Sequence, residues 1–119
     1  MKRDESPIAR KELIWLKASG GRSTICVEIG LPYDSTKGYW GTPVALYGLD
    51  GKLNDIFGED SLQSLALALS MVHSRFESII ESGDKLIDSE GDIFPLEAYF
   101  PKKTCVYLPG GLTNHWRES

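Results

Sequence analysis

Metal-ligand pairs are missing from this chain. It holds two cysteines and two histidines in 119 residues, and no CxxC, HExxH or HxxxH spacing joins any of them. A structural or catalytic zinc site needs three or four such donors converging from short spacings, so a metal centre is not expected. No serine sits in a G-x-S-x-G elbow, and the glycines form neither a P-loop nor a GxGxxG turn. A nucleophile-elbow hydrolase and a nucleotide-phosphate cradle are therefore unsupported. Two cysteines do not make a disulfide framework, and Cys26 and Cys105 both lie in apolar runs, which reads as reduced, shielded thiols. Basic residues are scattered and the formal net charge is −4, which speaks against nucleic acid as the partner. The longest nearly unbroken apolar stretch, Leu65 to Val72, is far short of the roughly 20 residues that span a bilayer. The start, MKRDESPIARKE, has no apolar segment behind its charges and does not read as a signal peptide. These features together predict a cytoplasmic protein with no cofactor and no membrane contact.

What is present is patterned. An apolar fraction of 41% is enough for one core, and the length suits one domain. Ile8 to Lys17 reads as a strand, Ser19-Gly20-Gly21 as a turn, and Thr24 to Gly30 as a strand whose Ile25, Val27 and Ile29 alternate with Thr24, Cys26 and Glu28. Leu31 to Gly38 is a loop. Tyr39 to Leu49 reads as a third strand, with Pro43 suited to an edge or a bulge, and Asp50-Gly51 then gives a hairpin signal before a short fourth strand over Lys52 to Phe57.

A long helix follows. Asp60 suits an N-cap, and Gln63 stands three positions later, where its amide reaches back in a variant of the capping box. Leu62, Leu65, Leu69, Val72, Phe76, Ile79 and Ile80 recur at steps of three and four, and Gly83 ends the run. About 21 residues at about 1.5 Å each make a rod of about 30 Å. His73 falls on the margin of the stripe, the place of a neutral boundary histidine with one ring nitrogen hydrogen-bonded. Asp84 to Asp88 reads as a short strand, Ser89 to Pro95 as a loop, and Thr104 to Leu108 as a further strand. Pro109-Gly110-Gly111 closes a single domain over 1–108, leaving 109–119 as a tail that includes His115 and Trp116. The fold class is α+β: an antiparallel meander of about four strands, one long helix across one face, and short extra strands toward the C-terminus.

Trp40-x-x-Pro43, Gly48-Leu49 and Phe57-Gly58-x-Asp60-x-x-Gln63-x-Leu65-x-x-Ala68-Leu69 resemble a family of small bacterial domains with no assigned function. The resemblance runs over about residues 8 to 95, with IARKEL at its start and Gly91-Asp92-Ile93-Phe94 near its end. It implies no catalytic residues.

Two functions of different class fit these residues. One is a non-enzymatic interaction module, a regulator or an immunity-type neutraliser of a basic toxin, steered by its negative charge. Leu67 and Met71 are its candidate contacts. They stack four positions apart, roughly opposite the apolar stripe, among Ser64, Ser74 and Ser78, and a helix-to-helix homodimer is the simplest use of them. The alternative is a small-molecule site or minor enzyme built from Trp40, Tyr47 and the loop around Asp92.

Overall fold

The computed structural model describes residues 6–100. β1 (Pro7–Leu16) and β2 (Arg22–Gly30) form an antiparallel hairpin in which Leu13 faces Ile25 and Glu12 faces Cys26. Its turn is closed by Gly20 N–H donating to the Lys17 carbonyl and Lys17 N–H donating to that of Gly21, both at 2.8 Å. Because side chains alternate across a strand, Ile25, Val27 and Ile29 all enter the core beside Leu13, while Thr24 is exposed.

The expected third strand divides at Pro43. β3 (Tyr33–Asp34) pairs with β4 (Trp40–Thr42), whereas β5 (Val44–Tyr47) pairs with β2, so the chain changes sheet across a single residue. Pro43 has no N–H and cannot carry a ladder through itself. Its carbonyl instead accepts from Gly30 N–H at 2.8 Å, and its ring lies where a Cβ on Gly30 would come within 2.8 Å. The expected fourth strand divides too, into β6 (Gly51–Lys52), which pairs with β5, and β7 (Ile56–Gly58), which pairs with β4. The hairpin turn occupies Gly48 to Asp50, with Gly51 already paired to Leu46. The four-stranded meander therefore becomes a five-stranded sheet, β6-β5-β2-β1 closed by β8 (Lys85–Ile87), and a second sheet in the order β3-β4-β7.

α1 (Ser61–Glu81) begins as its sequence indicates. Asp60 is extended and its Oδ1 accepts from Gln63 N–H at 2.8 Å. Gln63 Oε1 reaches one residue past the cap, to Glu59 N–H at 2.6 Å. Asp60→Ala should therefore cost about 1 kcal/mol and Asp60→Asn much less, read as a difference in unfolding midpoint between the two variants. At the far end Gly83 N–H donates to Ile80 O and Asp84 N–H to Ile79 O, with Gly83 at φ +99°, a Schellman ending that only glycine adopts without strain.

The helix face that packs is rotated from the expected stripe. Ser64, Ala68, Val72, Phe76 and Ile79 are buried, Leu65 and Leu69 flank them against the core, and Leu62 is 74% exposed. Small residues decide this. A Cβ on Gly58 would lie 2.6 Å from Ser64 N, and Thr42 Oγ1 and Ser64 Oγ share a buried hydrogen bond of 2.7 Å. The second sheet thus comes close to the first turn of α1 at the small residue Ser64, and Leu62 is turned out.

β8 pairs with Ile14 to Leu16 at the outer edge of β1. Asp84 fastens this junction, with Oδ1 accepting from Ala18 N–H at 2.8 Å and Oδ2 from Trp15 Nε1 at 2.9 Å. The backbone hydrogen bond from Ala18, then that from Trp15, holds the Asp84 carboxyl below its ordinary range. A depressed carboxyl stabilises the fold above the unfolded pKa, and that contribution is lost as pH falls through the folded one. Beyond β8 a short helix not foreseen in the sequence, α2 (Leu96–Tyr99), folds back so that Phe94, Leu96 and Phe100 are buried. His73 is buried, and its Nε2 hydrogen-bonds Glu97 Oε2 at 2.9 Å, as a boundary histidine should. The strand expected over Thr104 to Leu108, Cys105, the Pro109-Gly110-Gly111 boundary and the tail lie outside the described residues. No helix among the described residues is long and apolar enough to cross a membrane.

Candidate functional site

The second sheet presents its two sides differently. Trp40 faces Gly58 and Thr42 faces Ile56 in register, and the Thr42–Ser64 hydrogen bond places this side against α1. Side-chain alternation then directs Tyr33, Gly41 and Phe57, which are in register with one another, to the outer side. Gly41 is the floor of that face. A Cβ there would lie 2.8 Å from both the Phe57 and the Tyr33 rings, so the two rings occupy the space above the glycine. Rings laid over a strand glycine cover its bare backbone and stabilise the ladder. Tyr39 adds a third ring, its centroid 5.0 Å from that of Phe57 at an interplanar angle of 77°. The Tyr33 hydroxyl donates to Asp55 Oδ2.

This cluster is exposed as well as ordered. Phe57 keeps 48% and Tyr39 36% of its surface in solvent, and Tyr33 is half-buried. The loop that carries Tyr39 is held by its own side chains. Asp34 Oδ1 accepts from Thr36 N–H at 2.8 Å, and Ser35 Oγ donates to Tyr39 O at 2.7 Å. Thr36 takes φ +68°, a left-handed conformation that is costly for a β-branched residue.

The residues singled out by sequence are placed elsewhere. Trp40 is half-buried on the inner side of the second sheet. Tyr47 ends β5, exposed and opposite Cys26 in the large sheet. Asp92 is exposed in the loop after β8, where its N–H donates to Asp88 Oδ1 and its carbonyl accepts from Asp88 N–H. In the large sheet β2 and β1 stand between β5 and β8, so Tyr47 and Asp92 lie toward opposite edges. Leu67 and Met71 are half-buried. Cys26 is only partly shielded. Alternation puts it on the face of β2 away from the core, where it is half-buried with Arg10 Nη2 donating to its Sγ at 3.0 Å. Among the described residues no group of three or more His, Cys, Asp or Glu could hold a metal ion.

Sequence reasoning did not single out Tyr33, Tyr39 or Phe57, which belong to a loop and two strands distant in the chain. The signal was Gly41, a glycine inside a strand pattern, which marks a place where other groups approach the backbone closely.

A protein-family model, the domain of unknown function DUF6968, matches residues 9–93. Its span runs from β1 through β8 and stops short of α2. No curated protein and no solved structure matches the chain. The chain belongs to the DUF6968 family.

Proposed function

We propose that this member of the DUF6968 family is a protein-binding domain, of the regulator or immunity type, whose contact surface is the outer face of the second sheet. The observation that carries the reading is the pair of exposed rings, Tyr39 and Phe57, set nearly at right angles on a sheet floor. Exposed aromatic residues dominate interface cores because each buries a large area while losing few rotatable bonds. Phe57 packs by Gly41 and Tyr39 leaves a loop closed by its own hydrogen bonds, which supports the reading because groups with less freedom lose less on binding.

The test is affinity capture from extracts of the host cell with the tagged domain, wild type against Tyr39→Ser with Phe57→Ser. Truncating a central aromatic contact costs about 2 kcal/mol or more, roughly a thirtyfold loss of affinity. A partner retained by the wild type should be absent from the double variant; because the two rings are half-covered and lie by Gly41, the unfolding midpoint of the variant is measured alongside, and it should fall yet stay above the temperature of the capture. An unchanged set of captured proteins would remove this face from consideration.

A further inference from the structure

We infer that the domain pairs with a second copy of itself through the outer side of the large sheet, about a two-fold axis that runs along a row of isoleucines. Both helices pack on the inner side of this sheet, with the core. On the outer side Ile14 of β1 stands opposite Ile87 of β8, and Ile87 stands opposite Ile93 across a further bridge. Residues directly opposite one another point to the same side of a sheet, so the three isoleucines form one row. Leu86 and Phe94, which alternate with Ile87 and Ile93, are both in the core. Ile87 is buried yet stands outside the core cluster, Ile14 is half-buried, and Ile93 keeps 64% of its surface in solvent. An apolar row that ends in so exposed a side chain is the kind of surface that marks a contact.

The charges that flank the row identify its occupant. On one flank Leu16 is paired with Arg22 of β2 and with Lys85 of β8. On the other flank β8 runs on into the loop 88–92, where Glu90 and Asp92 are exposed. Glu90 and Asp92 serve that loop through backbone groups only. Among the described residues, none of these four charged side chains has a hydrogen bond or an ion pair. A half-turn about the row lays the cationic flank of one copy over the anionic flank of the other, and does so twice. The same operation sets the isoleucines of the two copies against one another. It also keeps their strands aligned, a common way for two sheets to pack face to face. A uniformly basic or uniformly acidic partner would suit one flank and be repelled by the other, whereas a second copy suits both. Phe57 and its neighbours on the second sheet take no part, so this pairing stands or falls apart from the proposed function.

The experiment is sedimentation velocity of the full chain over a series of concentrations, with three variants. Ile93→Asp removes the exposed end of the row. Arg22→Glu with Lys85→Glu makes both flanks acidic, and Glu90→Lys with Asp92→Lys makes both basic. The wild type should sediment as a dimer in exchange with monomer. Each variant should raise the dimer dissociation constant roughly tenfold or more, and added salt should weaken the wild-type dimer. The two charge variants mixed in equal amounts should dimerise again, because each then meets opposite charge on both flanks. A wild type that stays monomeric at the highest concentration reached would overturn the inference. So would a dimer unmoved in all three variants, or charge variants that do not recover on mixing. Every substituted side chain is exposed, and circular dichroism reports that each variant is folded.

Discussion

Phe76→Ala should lower the free energy of unfolding by about 3–5 kcal/mol. Phe76 is fully buried on the packed face of α1, and its ring is met edge-on by Phe94 at 6.5 Å and Phe100 at 5.9 Å between centroids. Truncation removes the transfer energy of the ring and leaves a cavity where the helix, the large sheet and the segment after β8 converge. The loss extends beyond the cavity, since Phe94 and Phe100 would each lose the ring against which they pack. Urea unfolding followed by tryptophan fluorescence reads the effect as a fall in midpoint, with a slope close to that of the wild type if the native state stays compact. Phe76→Leu, which retains most of the volume, should cost much less. A loss for the alanine variant below about 1.5 kcal/mol, well under the usual range, would mean that Phe76 does not hold these three parts together.

Gly48→Ala should be nearly as severe, about 3 kcal/mol, from left-handed backbone strain and steric overlap together. Gly48 sits at φ +91° in the β5–β6 turn, and a Cβ there would stand 2.1 Å from the carbonyl oxygen of Thr24. That carbonyl belongs to β2, where Thr24 is paired with Ile14 of β1 just beyond the last β2–β5 pair, Cys26 with Tyr47, so moving it away would disturb the β1–β2 ladder. Gly20→Ala is the matching control. Gly20 has φ +106°, but a Cβ there would meet nothing within 4 Å, so it should carry only the conformational cost of about 1–2 kcal/mol. Chemical unfolding of the two variants side by side separates strain from overlap. Equal losses would show that the Thr24 carbonyl yields.

These two sites also show why some of the fold could be read from the chain and some could not. Signals confined to a few adjacent residues were legible. The alternation of Ile25, Val27 and Ile29 placed a face of β2, Asp60 with Gln63 placed the start of α1, and Gly83 its end. Signals that depend on a distant partner were not. Tyr39 to Leu49 looks continuous in hydropathy, and only Pro43 packing on Gly30 reveals that it serves two sheets. Ser64 and Ala68 carry little apolar weight, yet both are fully buried, and Gly58 lies close against Ser64. Hydropathy favoured Leu62 as part of the stripe, and the structure turns it to solvent. The candidate interface was hidden for the same reason: Tyr33, Tyr39 and Phe57 converge only through the pairing of β3, β4 and β7.

The junction of β1 with β8 also bears on how the chain folds during synthesis. Leu16 pairs with Lys85 and Ile14 with Ile87, so the first strand waits for one that follows the whole of α1. At roughly 5–20 residues per second on a ribosome, that interval lasts several seconds. The local β1–β2 hairpin needs on the order of microseconds. Until β8 emerges, one edge of β1 has only solvent beside it, and an open edge of this kind recruits strands from other chains. The hydrogen bonds of Asp84 to Trp15 and Ala18 form only at that late step, fastening the strand that covers part of this edge. A nascent chain stalled before Lys85 would therefore carry β1, the longest strand among the described residues, half-paired, and stalled chains would be the form most prone to aggregate.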